Sequence, residues 1–209
     1  MISLFLNTAS SRFNAAVAKD NKVIDSVCTD YEKDLSKDAL LEITKLLDKN
    51  GFSAKDIDEI ISVRGPGSFT GLRIGVTIAK TFAYFLDKEL YSVSSLDVMA
   101  CSVSGDVIVP LIDARRGYVY ASIYDNDYNV LMDECYIKLD DLLEKAKSYS
   151  GDIVFVSLDD FDFSTIKYVP DMDKFFRLNF KRKENSMTFV PEYLKRTEAE
   201  EKLNDNRSN

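Results

Sequence analysis

The sequence predicts an α/β protein made of two lobes that share one plan. Three observations carry this expectation. Short apolar runs read as buried strands. Acidic two-residue turns join neighbouring strands, and a helix follows each third strand. The order strand, strand, acidic turn, strand, helix, strand then occurs a second time. The turns at Asp20-Asn21 and Asp125-Asn126 lie 105 residues apart, close to the 106 between Asn7 and Asp113. Identity between the halves is slight, so the repeat is one of element order.

Each element has its own signal. Residues 2–6 form an apolar run and 13–19 a second strand. Asp20-Asn21 tolerates the positive φ of a tight hairpin, and 22–28 lead out as a third strand. Ser36 can cap a helix over 37–50 that Gly51 stops. Leu40, Ile43 and Leu47 share one of its faces. Ser53 and Asp56 form a capping pair, and 59–63 read as a buried strand. A long apolar helix spans 72–86, and 90–93 close the half. In the second half, 107–113, 117–124 and 129–137 are strands around a turn at Asp125-Asn126-Asp127. Residues 139–149 are a helix and 152–157 a buried strand. Beyond Phe163 the signals weaken: 169–170 and 179–185 read as loop, and 198–209 as a frayed charged end. The expected domains are 1–100, a smaller 101–197 and the tail 198–209, with a five-stranded sheet in each lobe. A duplicated unit of this kind is the plan of the actin-like ATPase fold.

Composition excludes several chemistries. There is no histidine in 209 residues, which removes Ser-His-Asp and Cys-His catalysis and every histidine-based metal site. Thirty-five acidic against twenty-seven basic residues give a net charge of −8, and such a mean field disfavours tight RNA binding by this chain alone. Cys28, Cys101 and Cys135 are odd in number and widely spaced, which suits reduced thiols in a cytoplasmic protein. No leader and no membrane-length apolar run is evident.

The segment 65–75, GPGSFTGLRIG, joins a strand to the long helix. It is not a phosphate loop of the Walker type, because Gly71 is followed by Leu72 and Arg73 rather than Lys and Ser or Thr. It also lacks the dinucleotide-fold glycine spacing. It reads as a tight strand-to-helix turn in which Pro66 stiffens the loop and Ser68 or Thr70 caps the helix. The longer string Arg64, Gly65, Pro66, Gly67, Ser68, Phe69, Thr70, Gly71, Leu72, Arg73, Ile74, Gly75 resembles the signature of the TsaB (YeaZ) family almost letter for letter. The match continues in order through Ala79-Lys80, Val93 to Leu96, Asp113-Ala114-Arg115-Arg116-Gly117 with Val119-Tyr120, and Pro191 with Tyr193-Leu194.

The resemblance implies two ribonuclease-H-like lobes and a catalytically inert protein with no cofactor. It implies binding to TsaD, the enzyme that transfers a threonylcarbamoyl group to adenosine 37 of tRNAs reading codons that begin with A. It further implies that the small ATPase TsaE joins the pair, that tRNA is met only through the complex, and that a homodimer can form when the chain is alone. The TsaD-like metal site depends on histidines, which this chain lacks. Two departures stand out. The family's first strand ends Leu-Asp-Thr, whereas here it ends Leu6-Asn7-Thr8, which loses the magnesium-positioning charge. Only residues 163–190 are available for a stretch that is longer in the family, so the second lobe should be small and short of at least one helix.

Other residues invite functional readings. Asp113, Arg115 and Arg116 suit a phosphate clamp, but a salt-bridged turn is favoured because Asn7 has lost the opposing acid. The run Asp159, Asp160, Asp162 lacks the spacing of a calcium loop and reads as a solvated loop. Lys181, Arg182 and Lys183 are a basic triplet with RNA contact as the alternative to an ordinary surface loop. Gly71, Gly75, Ala79 and Ala83 form a row of small residues at a spacing of four. With Leu72, Ile78 and Phe82, and with Leu40, Ile43 and Leu47, this row is expected to meet a partner's helices. Packing on the protein's own sheet is the competing reading. The other functions weighed are a freestanding actin-like kinase or ATPase and a glycopeptidase. Both lack their required residues here.

Overall fold

The computed structural model describes residues 1–30, 35–178 and 180–195. Strands β1 (Ile2–Asn7), β2 (Arg12–Lys19) and β3 (Lys22–Asp30) lead into helix α1 (Leu35–Lys49). Strand β4 (Glu59–Gly65), helix α2 (Phe69–Leu86), strand β5 (Glu89–Ser94) and helix α3 (Ser95–Ala100) follow. The second half holds β6 (Val107–Asp113), β7 (Tyr118–Asp125), β8 (Val130–Lys138), α4 (Leu139–Lys147), β9 (Ile153–Ser157) and β10 (Ile166–Lys167). The chain continues through α5 (Met172–Arg177) and β11 (Arg182–Glu184).

The repeated order becomes repeated topology. One sheet runs β11-β5-β4-β1-β2-β3 and the other β10-β9-β6-β7-β8. In each, the first strand pairs antiparallel with the second and parallel with the fourth. These are the two ribonuclease-H-like lobes of the actin-like ATPase fold. The second lobe is the shortened one: no helix stands between β9 and β10, where the first lobe has α2. Asp20 and Asn21 both adopt positive φ, at 52° and 60°, as a two-residue hairpin turn demands. In the matching turn Tyr128, not Asn126, takes the positive φ. Asp125 there accepts from the Asp127 and Asn129 amides.

Four elements escape the sequence pattern, the two-residue β10 among them. The first sheet has six strands rather than five, because β11, expected as loop, returns from the far end of the chain to pair with β5. A buried ion pair holds this segment: Lys181 Nζ donates to both Glu59 oxygens at 2.7 and 2.8 Å. Helices α3 and α5 were unforeseen as well; both are short, α3 is almost wholly buried, and α5 buries Met172, Phe175 and Phe176. They lie in a core shared by the lobes, with Phe5, Ile61 and Val93 from one sheet and Ile108, Tyr124 and Val156 from the other. Helices α1 and α2 cover the outer face of the first sheet, and α4 covers that of the second. The expected tail at 198–209 lies outside the described residues.

Helix α2 shows why its small residues recur. A Cβ on Gly71 would strike the Thr8 carbonyl oxygen, and one on Gly75 the Thr8 hydroxyl. Thr8 Oγ1 in turn donates to the Gly71 carbonyl at 2.8 Å. Ala79 and Ala83 continue the same row and are buried against the sheet. The row that was expected to meet a partner is therefore internal. Leu72, Ile43 and Leu47 are buried in the protein's own core too, at 1%, 1% and 4% exposure. The reason is geometric: a helix lies close to a sheet only where its inward row is nearly free of side chains.

Ala79→Leu and Ala83→Leu should each overfill this contact and lower stability by about 1–3 kcal/mol. Thr77→Leu, on the exposed side of α2, should stay within about 0.5 kcal/mol of the native chain. Urea unfolding of the three variants checks the assignment of faces.

Candidate functional site

The family motif is a junction that the protein completes with its own atoms. Ser68 caps α2, accepting from the Gly71 amide at 3.2 Å. The Ser68 amide donates to the Ala9 carbonyl at 2.7 Å. The Ser68 amide, a donor that a phosphate-cradling loop would aim at a ligand, is thus taken up by the loop after β1. That loop is itself closed by Asn7, whose side-chain oxygen accepts from the Ala9 amide at 2.9 Å. Asn7 is buried and carries no charge to position a metal.

The C-terminal strap lies over the motif from the other side. The Glu192 amide donates to the Arg64 carbonyl at 2.9 Å. A side chain on Gly65, at φ 131°, would meet the Glu192 carbonyl. Tyr193 stacks on Phe69 with centroids 5.0 Å apart, and Arg73 Nε donates to the Tyr193 hydroxyl at 3.2 Å. Arg64 ties these parts to the second lobe. It donates to Glu192 at 2.8 Å and to Glu134 of β8 at 2.6 Å. Glu134 also accepts from Ser94 at 2.6 Å, and Tyr124 of β7 donates to Asp97 of α3 at 2.8 Å. Burial opposes the charge on Arg64, but Glu134 and Glu192 more than offset it and raise its pKa. Burial pushes the Asp97 carboxyl above its ordinary value despite the Tyr124 and Ser94 donors.

Between the lobes lies a cleft of about 590 Å³ whose walls include Asn7, Ser68, Phe69, Asp113, Arg115 and Tyr120. The turn from Asp113 to Gly117 is not salt-bridged as expected. Asp113 instead accepts from the Arg115 amide at 2.8 Å, and its own amide donates to Asp159 at 2.8 Å. Arg115 and Arg116, both at positive φ, form no ion pair among the described residues. Asp160 pairs with Lys167 at 2.6 Å, so the acidic run is engaged locally. The basic triplet is neutralised within the protein. Besides Lys181 with Glu59, Arg182 pairs with Glu184 at 2.8 Å and Glu192 at 2.5 Å, and Lys183 with Glu89. The segment expected as a surface loop is thus a paired strand, and the alternative of an RNA contact finds its cations engaged by carboxylates.

A second concavity, about 360 Å³, runs between α1 and α2 on the outside of the first lobe. It is lined by Ser36, Leu40, Arg73, Ile74, Thr77, Ile78, Thr81 and Phe82. Of the partner residues expected from sequence, Leu40, Ile78 and Phe82 meet here. Ile74, Thr77 and Thr81 were missed. The small-residue row drew attention to the wrong face of α2, although helical periodicity puts these three opposite it. Leu40 is 44% exposed, and Phe85, just past the groove lining in α2, is 78% exposed.

Comparison with known proteins bears on both places. The family model of TsaD, tRNA N6-adenosine threonylcarbamoyltransferase, matches residues 27–176. A Bacillus subtilis relative, tRNA threonylcarbamoyladenosine biosynthesis protein TsaB, is 33% identical over 76% of this chain and 72% of its own length. The chain belongs to the TsaB family. The Escherichia coli TsaB is 34% identical over 54% of this chain and 53% of its own. The fold agrees with solved TsaB-family (YeaZ) architecture. YeaZ from Pseudomonas aeruginosa superposes with a TM-score of 0.73 at 18% identity, covering 92% of this chain and 99% of that one. Within the TsaB family signature, then, the motif residues of this chain bind its own first hairpin, strap and second lobe.

The strap should be sensitive to acid. Burial pushes the Glu192 carboxyl up, but hydrogen bonds from Arg182 and Arg64 prevail and hold it below the ordinary 4.5. A carboxylate of this kind adds stability above its unfolded pKa and loses it as pH falls through the folded one. The stability gap between the native chain and Glu192→Gln should be full near neutral pH and shrink progressively below pH 4.5. Paired thermal melts across that range measure it, and a gap that does not change with pH contradicts the strap's ionic anchoring.

Proposed function

We propose that this chain is a non-catalytic partner of a TsaD homologue in the biosynthesis of threonylcarbamoyladenosine, at adenosine 37 of tRNAs reading codons that begin with A. The observation that carries this reading is the open apolar groove between α1 and α2. The TsaD family model matches a region of this chain that includes both helices. A TsaD homologue is therefore expected to present a similar helix pair, and two such pairs close into a four-helix bundle. In its absence a second copy of this chain would fill the same groove. A TsaE homologue would join the assembled pair, and tRNA would be met through the complex.

The cleft supports an inert role. Asn7 carries no charge, and the Ser68 and Gly71 donors bind protein acceptors. The isolated chain should neither hydrolyse ATP nor transfer a threonylcarbamoyl group, and turnover that survives stringent purification would sink this reading.

The docking test uses the organism's own TsaD homologue. Thr77→Arg and Thr81→Arg place a charge in the apolar groove without touching the core. Each should weaken binding at least tenfold, since a buried unpaired charge costs about 3–5 kcal/mol. Melting should be unchanged and threonylcarbamoylation by the mixture lost. Unchanged affinity in both variants would remove the groove from the interface.

A further inference from the structure

The basic triplet that the sequence offered for RNA is internally paired, yet the chain does gather unpaired cations elsewhere. Around the mouth of the inter-lobe cleft, Arg73, Arg115, Arg116, Lys138 and Lys195 form no ion pair among the described residues. In a chain of net charge −8 this is a local exception. The same rim carries stacked aromatic rings. Tyr118 and Tyr136, side by side on β7 and β8, are parallel to within 8° at 4.6 Å. Tyr120 joins Tyr136 at 5.6 Å and lines the cleft with Phe69 and Arg115. Across the mouth, Phe69 packs with both Tyr193 and the Arg73 guanidinium, which stands 3.9 Å from its centroid. The strap joins the two walls: Tyr193 stacks on the first lobe, and two residues on, Lys195 Nζ stands 5.3 Å from the Tyr136 ring of the second. Phe69 and Tyr193 remain 49% and 41% exposed despite their stacking.

We propose that this rim is a binding surface for single-stranded RNA, with unpaired bases stacking on the aromatic rings and phosphates meeting the flanking cations. Aromatic rings interleaved with unpaired cations are what a single strand needs, because every base has a stacking face and every linkage a charge. A protein partner of apolar character is served instead by the α1–α2 groove, which has no such cations except Arg73 at its edge. Arg73 belongs to both places, so the RNA surface begins where the proposed TsaD contact ends. The inference rests on the tRNA-modification reading and adds to it: this chain touches the substrate RNA directly, weakly when alone, and as one wall of the path in the complex.

The test titrates two fluorescein-labelled probes into the complex of this chain with the TsaD homologue. One is an anticodon stem-loop RNA, the other the same stem as a blunt duplex. Co-elution of the two proteins is measured first and separately. If it fails, the partner reading fails, and the titrations are made on the chain alone at low salt with the same criteria. The double variant Tyr118→Ala with Tyr136→Ala should weaken stem-loop binding about tenfold, the loss of roughly one stacked base. It should leave the duplex unchanged. Tyr136→Trp, which keeps a stacking face, should bind as well as the native chain. Arg115→Ala with Arg116→Ala, on an exposed turn, should lower the slope of log affinity against log salt by about two. Stem-loop affinity within twofold of native in both double variants overturns the proposal. So does a loss of TsaD binding in those variants while RNA affinity stays unchanged, because the rim would then be a protein contact.

Discussion

Helix α2 lies so close to the end of β1 that no side chain fits between them at Gly71 and Gly75, and much of the molecule depends on that approach. It brings the Thr8 hydroxyl onto the Gly71 carbonyl and the Ala9 carbonyl onto the Ser68 amide. The loop after the first strand thereby packs directly on the helix entrance. The same approach fixes the rotation of α2. With its small row inward, Ile74, Thr77 and Thr81 must face out beside α1. One packing constraint thus seals the helix entrance against the loop after β1 and leaves the groove open.

Arg64 performs the second integrating role. Its guanidinium bridges β8 and the strap, and it is 11% exposed with both partners in place. A buried arginine of this kind is tolerable only when its donors are satisfied, so the motif, Glu134 and Glu192 must be arranged together. This explains why the short segment from Pro191 to Leu194 accompanies the motif although 115 residues lie between Gly75 and Pro191. The strap also places Tyr193 and Lys195 on opposite walls of the cleft, where they complete the aromatic rim.

The parts legible in sequence are those with local causes. The duplicated order, the turn at Asp20-Asn21 and the strand-to-helix motif follow from alternation, positive-φ tolerance and capping. Helix α1 was expected at 37–50 and runs Leu35–Lys49; α2 was expected from 72 and begins at Phe69, one turn earlier. The parts not legible are made by distant partners. Strand β11 has the sequence Arg-Lys-Glu, which has no strand pattern; it is extended because β5 and Glu59 hold it. The two-residue β10 and the six-residue α3 and α5 are too short for periodicity to register. At the site, a row of glycine and alanine marked α2 as tightly packed but did not say against what. Only the fold shows that Thr8 is the answer, and that the threonine-bearing row is the free one.

The account stands on this division of α2 into two faces. Its most direct measurement is thiol labelling at two positions of one helix, Thr77→Cys and Ala79→Cys, each in a Cys28→Ser background and each with and without the TsaD homologue. The thiol at position 77 should label readily in the isolated chain and be protected in the complex, while the thiol at position 79 should resist labelling in both. Equal labelling at 77 with and without partner, or ready labelling at 79 that the partner abolishes, would contradict it.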